Sequence, residues 1–201
     1  MTLKEKAWLV LLAVAASLTL AAGFWPHFPG DIAVTRLVQS LAPKPVSWAQ
    51  WISSTAGFPW SLVLLAITVT LSWIIAGWRA ALLSLVSFGG MSVLGRFLGP
   101  VVARPRPSPE LVNVAKQLSG YSFPSIFALT YASTVGFVAA LFAVKTSGAL
   151  RIVVLALCGI LLFVGWIARV ALGAHWPSDV VLSYLIALLW ATLLIRLVKM
   201  K

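Results

Sequence analysis

The sequence predicts an all-α, polytopic membrane protein, with six transmembrane helices in one bundle and short amphipathic helices in the first external loop. Three observations carry this. The 201-residue chain is 61% hydrophobic and 9% charged, with a mean hydropathy of +1.03, far too apolar for a soluble domain. Its apolar residues fall into six runs, at about 7–25, 58–78, 80–103, 125–146, 150–172 and 180–198, each long enough or nearly so for a hydrocarbon core of about 30 Å. In lipid such runs must be helical, because an open sheet edge would leave backbone groups unpaired. No break in composition divides the chain, so residues 1–201 read as a single membrane-embedded domain.

Lys4 and Lys6 precede the first run, the arrangement of a signal peptide or of a retained first span. No small-residue cleavage pattern appears before the Trp25-Pro26 break, which favours a retained span. Residues 26–57 are more polar and are punctuated by Pro26, Pro29, Gly30, Pro43 and Pro45. Within them Ile32–Leu41 and Val46–Ile52 have the pattern of short amphipathic helices lying on the membrane surface. Trp25, Trp60, Trp78 and Trp176 stand near span ends, where an interfacial aromatic belt is expected. The single cysteine, Cys158, lies inside an apolar run, so neither a disulfide nor a thiolate metal cluster is available.

The net charge of +11 comes from basic residues at the ends of the runs rather than from an interleaved basic and aromatic tract. Anionic lipid is therefore the expected partner, and nucleic acid is not. Lys4, Lys6, Arg79, Lys145, Arg151, Arg196, Lys199 and Lys201 fall on one side of a six-span layout, which the positive-inside rule makes cytoplasmic together with both termini. Arg36, Lys44, Arg96, Arg104, Arg106, Lys116 and Arg169 fall on the other, a margin of only eight to seven. The loop at 104–124 and the turn at 173–179 are separated by two spans, so both are expected on the external face, able to converge on one pocket.

Chemistry concentrates where the fifth run ends. Only four acidic residues and two histidines exist in the chain, and Asp179 follows His175 by four positions while His175 follows Arg169 by six. A carboxylate one helical turn from an imidazole accepts its N–H and raises the basicity of the other ring nitrogen, the wiring of an activated nucleophile or base. An arginine nearby adds a planar fork of donors suited to phosphate. His175 alone would read as a helix-end anchor, but three ionisable groups beside a bilayer are costly to keep and mark function.

The loop adds Arg104-Pro105-Arg106-Pro107, whose prolines hold the two arginines in an extended segment. On their own they read as a basic patch touching headgroups. Ser125 follows Pro124 at a helix start, where free N–H groups attract an anion. Arg106, Ser125, Arg169 and His175 together have the make-up of a phosphate cradle with a nucleophile beneath it. The acids and histidines are too few and too scattered for a metal-ligand set, so no metal or other cofactor is expected.

In these residues the chain resembles the type-2 phosphatidic acid phosphatase superfamily of membrane lipid phosphate phosphatases. Arg169, His175 and Asp179 match its third motif, with Ala168 where serine is usual; Arg106-Pro107 matches the end of the first and Pro124-Ser125 the start of the second. Two positions depart: Gly99 stands where the family has its phosphate-binding lysine, and Ile126-Phe127 replaces the Gly-His of the second motif. The resemblance implies that His175 attacks phosphorus to give a phosphohistidine, with Asp179 orienting it and Arg104, Arg106, Ser125 and Arg169 around the phosphoryl oxygens. It also implies an inner (plasma) membrane location with the site on the external, periplasmic face. Arg96, one helical turn before Gly99, is a candidate for the missing charge. With no histidine at Phe127 to protonate the leaving group, a polyprenyl diphosphate is the expected substrate ahead of a monophosphate such as phosphatidylglycerophosphate or phosphatidic acid. The alternative is a member that binds or carries phosphorylated lipid without turnover. Gly95 and Gly99 have a small-xxx-small spacing that serves packing within the bundle or between chains equally well, leaving oligomeric state open.

Overall fold

Helix α1, Leu3–Ala22, starts at a reciprocal cap in which Thr2 Oγ1 accepts from the Glu5 N–H at 3.3 Å and Glu5 Oε2 from the Thr2 N–H at 2.8 Å. The structure, a computed structural model, describes residues 2–199, and every regular element among them is helical. Lys201, expected as a cytoplasmic charge, lies outside the described residues. Two short helices come after α1 where the amphipathic pattern placed them: α2, Asp31–Leu41, and α3, Ser47–Ser54. The face that α2 turns inward is polar, burying Asp31, Thr35 and Gln39, so it is held by hydrogen bonds rather than by an apolar stripe.

A hairpin comes next, α4, Trp60–Ala76, and α5, Trp78–Val102, turning at Gly77, whose φ of 79° suits glycine. The expectation of six spans fails at α4. Only five of the described helices are long and apolar enough to cross a membrane: α1, α5, the segment Ile126–Lys145, and the last two helices. The apolar run read at 58–78 includes residues that Pro59 and Gly77 cut off, leaving 17 in helix. At 1.5 Å per residue that is roughly 25 Å, short of a core of about 30 Å.

The segment Ile126–Lys145 is the hub. It comprises α6, Ile126–Tyr131, a widened π turn, Ala132–Gly136, and α7, Phe137–Lys145. It is 78% buried, against 11% for both α1 and α8, Gly148–Ala171, which face outward as lipid-exposed helices do. Its π turn meets α5, where Ser87 Oγ donates to the Ser133 carbonyl at 3.0 Å. The final helix, α9, Pro177–Lys199, lies between the hub and α1. Trp8 Nε1 donates to Thr192 Oγ1 at 3.2 Å, and the Arg196 guanidinium lies 5.1 Å from the Trp8 ring centroid. At the other end of the bundle Ala22, Val102, Phe123 and Leu182 pack together. The beginning of α1 and the end of α9 thus share one end, and the loop after α5 shares the other with the turn before α9.

Trp25, Trp60 and Trp78 are more than half exposed, as belt residues would be. Trp176 is the exception. It is buried, and its indole N–H donates to the Pro105 carbonyl at 3.3 Å, so it fastens the loop to the turn rather than anchoring a helix in headgroups.

Candidate active site

Loop and turn are joined by backbone before any side chain enters. The Ala115 N–H donates to the Leu172 carbonyl at 3.0 Å, and Gly173, with φ 62°, passes so near Asn113 that a Cβ would collide with its carbonyl oxygen. Gln39 clamps the same point from α2, donating to the Asn113 carbonyl at 2.6 Å and accepting its N–H at 3.1 Å. These contacts bring Arg106 over the turn, where its Nη1 donates to the Ala174 carbonyl at 2.7 Å and lies 3.4 Å from His175 Nε2.

His175 is 2% exposed, and its Nδ1 lies 2.5 Å from the Ser122 carbonyl oxygen. A carbonyl only accepts, so Nδ1 carries the proton and Nε2 presents its lone pair towards Arg106. Burial, then the positive charges of Arg169 and Arg106, push the His175 pKa well below the ordinary 6.5, with the Ser122 bond opposing. At neutral pH the ring is an uncharged imidazole. Burial also lowers Arg106 from the usual guanidinium value, against the pull of Asp179.

Asp179 does not hold this ring directly. Its Oδ2 accepts from Ser122 Oγ at 2.5 Å and from the Trp176 N–H at 3.3 Å, while Oδ1 is paired with Arg104 Nη1. The expected turn-to-turn bond fails because α9 begins at Pro177, so His175 precedes the helix and the i, i+4 geometry does not apply. The carboxylate reaches the imidazole one residue removed, through Ser122.

Arg104 also departs from expectation. It is 1% exposed and bonded within the protein through all three nitrogens: Nε to the Trp25 carbonyl at 3.1 Å, Nη1 to Ser178 Oγ at 3.1 Å and to Asp179, and Nη2 to Asp31 at 3.2 Å, with the Phe28 ring centroid 4.3 Å away. Asp31 in turn accepts the Ser178 N–H at 3.0 Å and Ser178 Oγ at 2.7 Å. Arg104 is thus a buried tie between two carboxylates, with four of its five N–H donors spent on the protein. Ser125 is fully buried as the cap of α6: Oγ accepts from the Ala128 N–H at 3.4 Å, and its own N–H donates to Ser183 Oγ at 2.9 Å. Its N–H and its Oγ lone pair are thus spent on the fold. Arg96 is exposed on α5 with no side-chain partner among the described residues, so it supplies no charge to this site.

Arg169 lies beyond Ala174, near enough for its charge to act on His175. It is buried, Nη1 bonds Ser53 Oγ on α3, and Nε has no partner. Its guanidinium sits 5.6 Å from the Phe127 ring centroid, and Phe127 stacks on Tyr131 at 4.3 Å. Two clefts open here. One of about 250 Å³ is lined by Arg106, Lys116, Gly173 and Ala174, and one of about 370 Å³ by Ser53, Lys116, Arg169 and Ala174. Sequence reasoning brought Arg106, Arg169 and His175 to this place. It missed Ser122, Ser178 and Asp31, although Asp31 had a signal: it is one of four acids and opens a helix beside prolines.

Comparison with known proteins bears on the family and the fold. A family model described as the PAP2 superfamily matches residues 79–201. The crystal structure of the first transmembrane PAP2-type phosphatidylglycerolphosphate phosphatase from Bacillus subtilis superposes with a TM-score of 0.75 at 23% identity, covering 94% of this chain and 96% of that one, a likeness of fold. No curated protein matches the sequence.

Proposed function

The chain belongs to the PAP2 superfamily, and on that footing we propose that it hydrolyses a lipid phosphate or diphosphate at the external membrane face, through a phosphohistidine on His175. The observation that carries this reading is the contact of His175 Nδ1 with the Ser122 carbonyl at 2.5 Å, which requires Nδ1–H and turns the Nε2 lone pair towards the Arg106 guanidinium at 3.4 Å. In the first step Nε2 forms a bond to phosphorus, the bond from phosphorus to the ester or bridging oxygen breaks, and its electron pair leaves on that oxygen. Water then attacks the phosphohistidine, returning the electron pair to Nε2 and releasing inorganic phosphate. Arg106 and Arg169 bind the equatorial oxygens and offset charge as it develops. Ser122 and Asp179 hold the ring from behind.

Phe127 donates no proton, so an alkoxide leaving group goes unassisted, a loss of about 10²–10⁴-fold. A leaving phosphate needs less protonation. This favours a polyprenyl diphosphate over phosphatidic acid or phosphatidylglycerophosphate, the monophosphate class named for the Bacillus subtilis protein. Both termini would then be cytoplasmic in the plasma membrane, with α4 returning the chain beside α5 although it falls short of a full span, in keeping with the pairing of Trp8 with Thr192 and Arg196 at the far end.

Phe127 and Gly99 also support a second reading, a protein that binds phosphorylated lipid without turnover. Labelled lipid diphosphate separates the two. Hydrolysis predicts phosphate release and an acid-labile phosphohistidine that vanishes in His175→Ala. Binding alone predicts no label in either protein.

A further inference from the structure

The two clefts flank Ala174, whose carbonyl Arg106 holds. Arg106 lines one and Arg169 the other, while Lys116, Leu118 and Ala174 line both. Among the described residues Lys116 is thus the one charged side chain common to the two, and no carboxylate lines either. Arg106 and Arg169 act on each other as like charges, and with Lys116 lining both clefts the lining is positive, a potential relieved when an anion enters. Arg169 still has its buried Nε free to donate. A site of two lobes with a cation at each end and one between suits a ligand carrying two adjacent phosphates.

We propose that Lys116 is a substrate-binding residue that bridges the two phosphates of a diphosphate lipid, which makes the headgroup class of this enzyme a diphosphate ester. This rests on the hydrolytic reading of the site. The terminal phosphate lies at Arg106 and His175, and the inner one at Arg169. When the Nε2–phosphorus bond forms, the bond from the terminal phosphorus to the bridging oxygen breaks and its electron pair passes to the inner phosphate. Lys116 stabilises the charge that appears there, which offsets the absence of a proton donor at Phe127. Lys116 escapes a motif search because it lies in the polar part of the loop, with no arginine or proline beside it.

The test compares the full-length wild type with Lys116→Met, Lys116→Arg and a charge control, Lys44→Met, which removes an exposed cation outside both clefts. Phosphate release is measured in detergent micelles from a polyprenyl diphosphate and from phosphatidic acid, with inorganic pyrophosphate as inhibitor. Lys116→Met is expected to lower kcat/KM for the diphosphate roughly tenfold and to raise the pyrophosphate inhibition constant similarly, as loss of a charge-assisted bond would. Phosphatidic acid should change by less than about twofold, Lys116→Arg should retain most activity, and Lys44→Met should match wild type. Equal loss on both substrates, no loss on either, or a loss matched by Lys44→Met overturns the proposal. If the wild type releases no phosphate from any lipid, pyrophosphate binding measured by calorimetry decides separately. Binding that weakens in Lys116→Met upholds the site while hydrolysis falls, and binding that is absent or unchanged overturns the site.

Discussion

The turn from Leu172 to Asp179 and the head of α6 carry two motifs of one family, and they have gone different ways. In the turn the polar groups are organised around a single imidazole: Ser122 behind it, Arg106 in front, Asp179 one step back. At the head of α6 the polar groups are consumed by the fold. Ser125 caps a helix, and Phe127 fills its place by stacking on Tyr131 and closing on Gly165, where a Cβ would come within 2.8 Å of its ring. If the proposed hydrolysis holds, the imidazole is placed to attack while the leaving-group position is packed shut, so turnover should depend on how readily the substrate departs.

The largest test of this contrast is Phe127→His. Restoring a donor should raise kcat on phosphatidic acid by about 10²-fold and on a lipid diphosphate by far less, read by phosphate release. Equal gains on both would mean that the leaving group is not what limits turnover.

A second contrast lies within the loop. Arg104→Ala strips two buried carboxylates of their shared cation and should cost about 3–5 kcal/mol in unfolding measurements in detergent. Arg106→Ala removes a half-buried donor and should cost about 1 kcal/mol while lowering kcat/KM at least tenfold. Similar stability losses would break the assignment of one arginine to the fold and the other to the site.

The smallest effect is in pH. In the proposed mechanism His175 attacks unprotonated, and its pKa lies well below 6.5, so kcat/KM should stay level from pH 8 down through 6.5 and fall only as pH drops through the depressed value. Arg169→Met removes a charge that helps to depress it, so the acid limb should move upward, by less than about one pH unit. A wild-type limb at or above 6.5 would mean that the ring is more solvated than its burial indicates.

Much of this was legible in the chain, for reasons that also explain the failures. Arg169 and His175 were readable because ionisable residues at the end of an apolar run stand out against lipid. The span count erred because hydropathy registers residues that a proline and a glycine exclude from the helix, as at Pro59 and Gly77. Arg104 and Arg106 look alike in sequence, each followed by proline. In an extended segment residues two apart are expected on one face, and only the surrounding loops, Asp31 on one side and Ala174 on the other, send their guanidinium groups to different places. Asp31 was hidden because its partner lies 73 positions away.

That distant aspartate bears on modularity. The segment recognisable as phosphatase, 79–201, holds all three motifs, but Arg104 within it is neutralised from both sides, once by Asp179 and once by a residue outside the segment. Cut free, the fragment would keep every residue of its signature and still have a buried guanidinium one anion short, beneath the serine whose carbonyl holds the His175 ring. The segment 1–78, which carries no part of the signature, is to that extent a structural cofactor of the part that does.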